Sequence, residues 1–167
     1  GPNRKRINMP LYHKLGQIPK KRHVQFRKPN GELYYEQLFG TIGFEGMSSL
    51  LYHTHRPTMV SDIKAPKDIT PKIAQAKHIT ARKLMSYDVA PQDDFLDSRV
   101  TLLVNNDVHI GVAAPIKSLT EYFYKNADAD EMLFIHKGTG TLRTLVGNIK
   151  FEYGDYLIIP RGMIYQI

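Results

Sequence analysis

The stretch "EYGDYLIIPRGMIYQI", residues 152–167, decides which fold class the sequence predicts. Two turn dipeptides, Gly154-Asp155 and Arg161-Gly162, enclose a short apolar run. Directly upstream, "NIKFEY" (148–153) alternates apolar and polar residues without a break. Alternation with a period of two is typical of a strand that has one face in water. The stretch therefore predicts short strands that fold back on one another, with one strand face formed by Ile149, Phe151 and Tyr153.

The sequence before this stretch continues the same pattern. "RVTLLVNNDVHIGVAAP" (99–115) contains two β-rich runs separated by the turn cluster 105–107. "EMLFIHKG" (131–138) is another short apolar run, and we interpret it and "DYLIIP" (155–160) as core strands. Strands at intervals of about 8–12 residues, with turn signals between them, indicate an all-β sandwich or barrel.

The first half of the chain is less regular. Residues 1–30 are interrupted by prolines and glycines, so we expect an irregular arm there and a β domain over 31–167. The dipeptide Asn30-Gly31 predicts a type I′ hairpin turn. Residues 71–84 are the best candidate for a helix, although their apolar positions do not keep a helical period.

The net charge of +7 originates in the N-terminal arm. Residues 1–28 hold nine Lys or Arg and no acidic residue, whereas the other 14 basic residues face all 16 acidic ones, a net charge of −2. A basic arm can bind nucleic acid, or it can lie on an acidic face of a partner subunit. Because the arm lacks regularly spaced aromatic residues and the body lacks a second basic patch, we expect no nucleic-acid binding.

The composition indicates a globular domain in a reducing compartment. With 167 residues, 42% of them hydrophobic, the chain is long enough to form a core. It contains no cysteine, which excludes disulfides and zinc–thiolate sites. No apolar run approaches the roughly 18 residues of a membrane helix, and we recognise no signal peptide. We therefore expect a cytoplasmic protein that does not bind a membrane.

Residues 130–165 resemble the two motifs of the cupin superfamily, whose members are jelly-roll β-barrels. The first motif ends with a glutamate and, after six intervening residues, a glycine; Glu131 and Gly138 have this spacing. The second motif has a glycine, five residues, Pro-x-Gly, two residues and a histidine. Its glycine and proline positions are matched in register by Gly154, Pro160 and Gly162. The resemblance implies a jelly-roll (cupin-like) β-barrel or sandwich, incomplete, behind the irregular arm.

The metal-ligand positions of these motifs differ from the family's pattern. Tyr165 stands where the second motif has its histidine, and residues 124–127 (YKNA) contain neither histidine of the first motif. Only Glu131 remains, and a ferrous site needs about three protein donors. We therefore expect no metal ligand, catalytic residue or bound cofactor in this chain. Glu131 is then a surface or barrel-mouth carboxylate.

The histidines offer weaker candidates for a metal site. His53 and His55 could reach one ion from the same face of a strand, but no carboxylate follows before Asp62. We interpret this pair as half-buried or surface residues, and His136 as a hydrogen-bonded strand residue. No motif surrounds the remaining histidines, His13, His23, His78 and His109.

Three ordered blocks resemble the homogentisate 1,2-dioxygenase family. Residues 32–53 (ELYYEQLFGTIGFEGMSSLLYH) fit its L-Y-x-E-Q-L-x-G segment and the Ser/Leu/Tyr-rich strand that follows. Residues 155–167 (DYLIIPRGMIYQI) resemble the end of the family's first barrel, and residues 9–31 (MPLYHKLGQIPKKRHVQFRKPNG) resemble the opening of bacterial members. The similarity extends over nearly the whole chain, and residues 58–98 match only loosely.

This resemblance implies the N-terminal structural and oligomerisation domain of a non-haem Fe(II) enzyme. The family cleaves the aromatic ring of homogentisate with dioxygen to give maleylacetoacetate, in tyrosine and phenylalanine catabolism. Two histidines and a glutamate hold its iron in a second, C-terminal domain, so we expect those ligands downstream of Ile167. The family forms trimers paired into hexamers. We therefore expect a homo-oligomer, and a chain that is inactive by itself.

Two other functions stay open. One is a metal-free cupin that binds a small molecule or resembles a sugar isomerase. The other is an adaptor that uses the basic arm on nucleic acid. If the chain belongs to a dioxygenase, these sequence features do not distinguish homogentisate from a related dihydroxyphenyl acid as the substrate, because a paralogue would share them.

Overall fold

The computed structural model describes residues 25–43, 45–57 and 59–167, and the chain divides into two compact units, Gly1–Pro66 and Lys67–Ile167. The regular structure in the described residues is β apart from one short 3₁₀ turn, which confirms the all-β prediction. None of the described residues form a helix long and apolar enough to cross a membrane. The first unit contains β1 (Tyr35–Ile42) and β2 (Glu45–His53). The second contains the 3₁₀ turn Ser86–Asp88, β3 (Val100–Val104), β4 (His109–Val112), β5 (Tyr124–Lys125), β6 (Glu131–Phe134), β7 (Gly140–Thr144), β8 (Gly147–Phe151), β9 (Tyr156–Ile159) and β10 (Ile164–Gln166).

In the first unit, β1 and β2 form an antiparallel hairpin. Its register places Leu38 opposite Leu50 and Tyr35 opposite His53. The Ser/Leu/Tyr-rich run that the family resemblance predicts to be a strand is therefore confirmed as β2. Of the arm predicted over residues 1–30, residues 1–24 lie outside the described part of the chain.

The turn that precedes this hairpin is tight, as predicted, but its type and position differ from the prediction. The Gly31 N–H donates to the Lys28 carbonyl oxygen at 2.9 Å, so Pro29 and Asn30 are the two central residues. A type I′ turn needs positive φ at both central positions, whereas proline fixes φ near −65°. Gly31 follows with a φ of 85°, which gives a three-residue loop closed by a left-handed glycine.

In the second unit, β3 and β4 form the predicted hairpin, with Val104 opposite His109. The Asn105 side-chain oxygen accepts hydrogen bonds from the N–H groups of Asp107 at 2.8 Å and Val108 at 2.7 Å. An asparagine that bonds to the backbone two and three residues ahead stabilises a turn locally. The turn cluster 105–107 is therefore confirmed.

The remaining strands form three antiparallel pairs, nested one inside another along the chain. β7 pairs with β8, β6 pairs with β9, and β5 pairs with β10. β10 also pairs with β7, so one sheet has the order β5-β10-β7-β8 and another consists of β6 and β9. Gly154 and Gly162 turn the chain before β9 and β10, with φ angles of 92° and 82°. The turns predicted at these two glycines are confirmed.

The core of the second unit lies against one face of its strands. Along β9, Leu157 and Ile159 are buried while Tyr156 and Ile158 are exposed, because successive side chains point to opposite faces. The prediction that the runs 131–138 and 155–160 are core strands is therefore confirmed for one face only. The buried apolar residues in the described part of the chain are Phe95, Leu119, Leu142, Leu157, Ile159, Met163 and Tyr165.

Two predictions of local structure were wrong. Residues 71–84 contain no helix, and all but Pro71 are exposed; without a helical period they offer no apolar face to bury. β8 is a strand as predicted, but it lies at the edge of its sheet. Of the predicted face, Ile149 is exposed and Phe151 is half-buried, whereas Tyr153 lies in the turn after β8 and is exposed.

Candidate functional site

Four side chains from distant parts of the second unit meet around Glu131 and Tyr165, two positions of the motif resemblance. Glu131 is the first residue of β6, and Tyr165 lies in the middle of β10. Arg99 directly precedes β3. The register of β10 on β5 sets Tyr165 opposite Tyr124, so the motif glutamate, the residue in the histidine position and Tyr124 come together. We call Arg99, Tyr124, Glu131 and Tyr165 the Arg99 cluster.

The Arg99 cluster is held by one carboxylate oxygen. Arg99 Nη2 donates to Glu131 Oε2 at 2.7 Å, and the Tyr165 hydroxyl donates to the same oxygen at 2.9 Å. Arg99 Nη2 also donates to the Tyr165 hydroxyl oxygen at 3.2 Å. Tyr165 is completely buried, the Glu131 side chain is 9% exposed, and the Arg99 side chain is 34% exposed. The ion pair therefore lies at the border of the core, with its carboxylate inside.

Aromatic rings surround the guanidinium. Its central carbon lies 4.3 Å from the centre of the Phe95 ring and 5.5 Å from that of Tyr124. The rings of Tyr124 and Tyr165 meet edge to face, with their centres 5.6 Å apart. A guanidinium over aromatic faces is attracted by the ring quadrupole. These contacts fix the side chain of Arg99 toward the carboxylate of Glu131.

The shifted pKa values of Arg99, Tyr124 and Tyr165 show which of these groups are charged at neutral pH. Burial raises the pKa of the Tyr165 phenol well above its usual range, and the nearby Glu131 charge adds to this effect against the influence of Arg99. Burial is the largest single influence on Arg99 and lowers its pKa, but Glu131, Tyr165 and Tyr124 together outweigh it, so the net shift of the pKa is upward. The pKa of Tyr124 is raised by burial and by Glu131. Arg99 is therefore cationic and both phenols are neutral near pH 7.

The residues present do not fit a ferrous ion. Glu131 is the one carboxylate of the Arg99 cluster, and its Oε2 already accepts hydrogen bonds from Arg99 and Tyr165. Its Oε1 is buried and has no hydrogen-bond partner among the described residues. A cation at Oε1 would lie close to the guanidinium charge, which repels it. The two phenols are neutral, so the cluster lacks the set of about three strong donors that iron requires.

Two residues of the Arg99 cluster were identified from the sequence, and the residue that contacts both of them was not. Glu131 and Tyr165 were singled out by spacing. Of the two positions expected for Glu131, the surface is wrong because its side chain is nine-tenths buried, and the barrel mouth stays a prediction. Arg99 was missed. A single basic residue immediately before the apolar run 100–104 is the signal that could have indicated it.

Two predictions concern the environment of histidines: the one for His53 and His55 agrees with the structure, and the one for His136 is wrong. His53 is half-buried on β2 and its Nε2 lies 2.9 Å from Gln37 Oε1 on β1, whereas His55 is exposed, which agrees with the interpretation of the pair as half-buried or surface residues. His136 lies beyond the end of β6 and is exposed. Its ring stacks 4.9 Å from that of Tyr87, and it makes no hydrogen bond within the described residues, so the prediction of a hydrogen-bonded strand residue was wrong.

A second group of acidic residues lies before β3. Asp93, Asp94 and Asp97 have carboxylate oxygens within 4.8 Å of one another. Asp93 pairs with Lys117 at 2.9 Å, and Asp97 pairs with Lys67 at 3.7 Å. Asp94 accepts hydrogen bonds from two N–H groups of the following turn. These carboxylates therefore stabilise the loop.

Alkaline unfolding tests the raised pKa of Tyr165. Because the folded phenol keeps its proton above pH 10 while the unfolded one loses it, stability should fall as pH rises, by up to about 1.4 kcal/mol per pH unit from this group. Tyr165→Phe cannot ionise, so its stability should fall less steeply between pH 10 and 11.5. Urea unfolding at several pH values measures both slopes. Equal slopes in the two proteins would contradict the raised pKa.

Comparison with known proteins shows that this chain is similar over most of its length to a curated protein. The chain is 36% identical over 162 residues to the "Putative dioxygenase SSO1533" of Saccharolobus solfataricus. The aligned region covers 95% of this chain and 41% of that protein, so the chain spans about two-fifths of the length of this curated relative. No family model matches the chain. No solved structure matches it either.

Proposed function

We propose that this chain is the N-terminal structural and oligomerisation portion of a cytoplasmic, non-haem Fe(II) homogentisate 1,2-dioxygenase. The similarity to the Saccharolobus protein supports a dioxygenase in general, because that protein carries this name. The three sequence blocks at 9–31, 32–53 and 155–167 support homogentisate as the substrate. Dioxygen is the second substrate, and neither nucleic acid nor membrane is a partner.

The observation that carries the structural role is the ion pair between Arg99 and Glu131. A guanidinium 2.7 Å from Oε2 supplies the positive charge that balances Glu131 at the position where a metal-binding cupin has its ion. Because the residues of the Arg99 cluster do not fit iron, we assign the ligands of Fe(II) to polypeptide outside this chain. Bound there, iron would orient the ring and activate dioxygen.

The strand pairing supports a cupin-like jelly roll over residues 31–167, behind the basic arm of residues 1–30. A jelly roll has eight strands in two sheets, formed by nested antiparallel pairs that alternate between the sheets. The pairs β7-β8 and β5-β10 belong to one sheet, and β6-β9, which lies between them in the nesting, belongs to the other. These six strands would be three of the four pairs of the jelly roll.

Iron content and ring cleavage test this proposal directly. The chain of residues 1–167 should retain no stoichiometric iron after anaerobic loading and should not consume dioxygen with homogentisate. The complete gene product should bind one Fe(II) per subunit and convert homogentisate to maleylacetoacetate. In that protein, Glu131→Gln should leave the iron content unchanged, since we assign no metal to Glu131. Loss of iron in this variant, or an inactive complete product that is loaded with iron, would overturn the proposal.

One observation favours the alternative of a metal-free cupin that binds a small molecule. An open depression of about 490 Å³ lies beside β7 and β8, within the size range of ligand sites. Its walls include Thr139, Lys150, Phe151 and Glu152, and none of the Arg99 cluster. A small-molecule screen by thermal shift, with Lys150→Ala as the insensitive variant, would identify such binding.

A further inference from the structure

The outer face of the sheet formed by β6 and β9 is apolar and exposed. Met132 on β6 lies opposite Ile158 on β9, and Phe134 lies opposite Tyr156. Met132 is 68% exposed and Ile158 is 71% exposed, and Phe134 and Tyr156 are about half to two-thirds exposed. No charged residue occurs at these four positions. We call this surface the β6–β9 face.

Apart from Glu131 on the inner side, both faces of this sheet are apolar, which is unusual for a strand pair open to water on one side. On the inner face Leu157 and Ile159 are buried, so the runs 131–135 and 156–159 are nearly continuous in apolar residues. Such continuous runs are typical of strands that are covered on both faces. The sequence of β6 and β9 therefore indicates a second cover over the β6–β9 face.

The outer face of the neighbouring sheet shows the contrast. There Thr141 lies opposite Lys150, and Arg143 lies opposite Asn148. These polar pairs are suited to water. The two sheets therefore differ: the outer face of β7 and β8 is polar, whereas the β6–β9 face is apolar.

Aromatic rings extend the β6–β9 face at its end. His136 stacks on Tyr87, with the ring centres 4.9 Å apart, and its ring centre lies 6.2 Å from that of Tyr153. Phe134 and Tyr156 are also in ring contact, at 4.8 Å. The tyrosine hydroxyls give this end of the surface a polar rim, as occurs at the border of protein interfaces.

The area of the extended face matches one side of a protein–protein interface. Aromatic side chains carry about 150–250 Å² each, so six side chains that are mostly exposed present on the order of 700 Å². A stable interface buries about 800 Å² per partner, whereas the largest apolar patch of a typical monomer is about 300–600 Å². The six side chains are Tyr87, Met132, Phe134, Tyr153, Tyr156 and Ile158.

We propose that the β6–β9 face binds the same face of a second copy of this chain across a two-fold axis. An isologous contact needs a self-complementary surface, and an uncharged apolar sheet face brings no repulsion between like charges. Homodimer interfaces are also more apolar than transient ones. The inference rests on the homo-oligomer in the proposed function and adds the surface that forms its two-fold contact.

Single cysteines test this contact, because residues 1–167 contain no cysteine and any cysteine elsewhere in the complete protein can first be replaced by serine. Ile158→Cys and Met132→Cys in the complete protein should each form disulfide-linked dimers under mild oxidation. Ile116→Cys is the matched control, since Ile116 is 70% exposed and lies outside the face. In light scattering, Ile158→Lys should halve the mass of the wild-type assembly, and Ile116→Lys should leave it unchanged.

These experiments distinguish an error in the proposed contact surface from an error in the proposed homo-oligomer. A wild-type protein that is monomeric over the whole concentration range would overturn both this inference and the homo-oligomer. An oligomer whose mass is unchanged by Ile158→Lys, and in which Cys-substituted Met132 and Ile158 do not cross-link, would overturn the face alone. In that case, the reaction of these cysteines with a thiol reagent would be measured. Slow modification would show that another segment of the polypeptide covers the two positions.

Discussion

Replacing Arg99 with methionine should lower the free energy of unfolding by about 3 kcal/mol. Removing one partner of a buried ion pair costs about 3–5 kcal/mol, because the other charge stays buried without compensation. We expect the lower end of this range, since a third of the Arg99 side chain is exposed and water can approach the vacated position. Methionine keeps an apolar stem against Phe95 and Tyr124, so the loss reports mainly on the charge.

A double-mutant cycle with Glu131→Gln isolates the pair. The double variant removes both charges, so it should be more stable than Arg99→Met alone, and the coupling energy should be about 2 kcal/mol. Denaturant unfolding followed by circular dichroism measures all four proteins. If the two single losses simply add to within about 0.5 kcal/mol, the ion pair does not hold the cluster together.

Replacing Leu157 with lysine should abolish folding of the second unit. Leu157 is 6% exposed on the inner face of β9, where an ammonium group would have no carboxylate partner on β6 directly opposite, since that position is Leu133. An unpaired charge in the core costs more than about 4–5 kcal/mol, which is comparable to the whole stability of a small domain. The far-ultraviolet spectrum and the thermal transition of the native protein should both be lost.

The next residue is the control. Ile158→Lys introduces the same side chain one position further along β9, where the residue is 71% exposed. In dilute solution its stability should stay within about 1 kcal/mol of the wild-type value. If Ile158→Lys also prevents folding, or if Leu157→Lys folds normally, the assignment of inner and outer faces to this strand is wrong.

Local signals in the sequence were sufficient for the strands β3, β4, β6, β8 and β9 and for most of the predicted turns. The hairpin at 100–112 follows from two β-rich runs around Asn105, whose side chain makes the turn with its own neighbours. Gly154 and Gly162 likewise take the left-handed backbone that their positions between apolar runs indicate. The turn at Pro29 was displaced by one residue because the φ angle of proline overrode the Asn-Gly signal.

Patterns failed where burial depends on neighbours far away in the chain. "NIKFEY" alternates perfectly, yet Ile149 is exposed because β8 is an edge strand and receives no cover there. The run 156–159 looks uniformly apolar, and only the packing of the sheet shows that Leu157 is covered and Ile158 is not. Alternation fixes which residues share a face, and the tertiary structure decides which face is inside.

Local residue patterns were enough to predict an all-β protein whose short strands turn at glycine, asparagine and proline. The residues themselves show that the histidine positions of the cupin motifs are occupied by other side chains. The contact of Arg99 with Glu131 and Tyr165 became visible only in the folded chain. Arg99 reaches Glu131 across 32 residues and Tyr165 across 66, and no pattern of local spacing encodes a contact over such distances. Which charges pair in this way depends on the packing of the strands. A buried carboxylate can bond only with the groups that the fold places beside it.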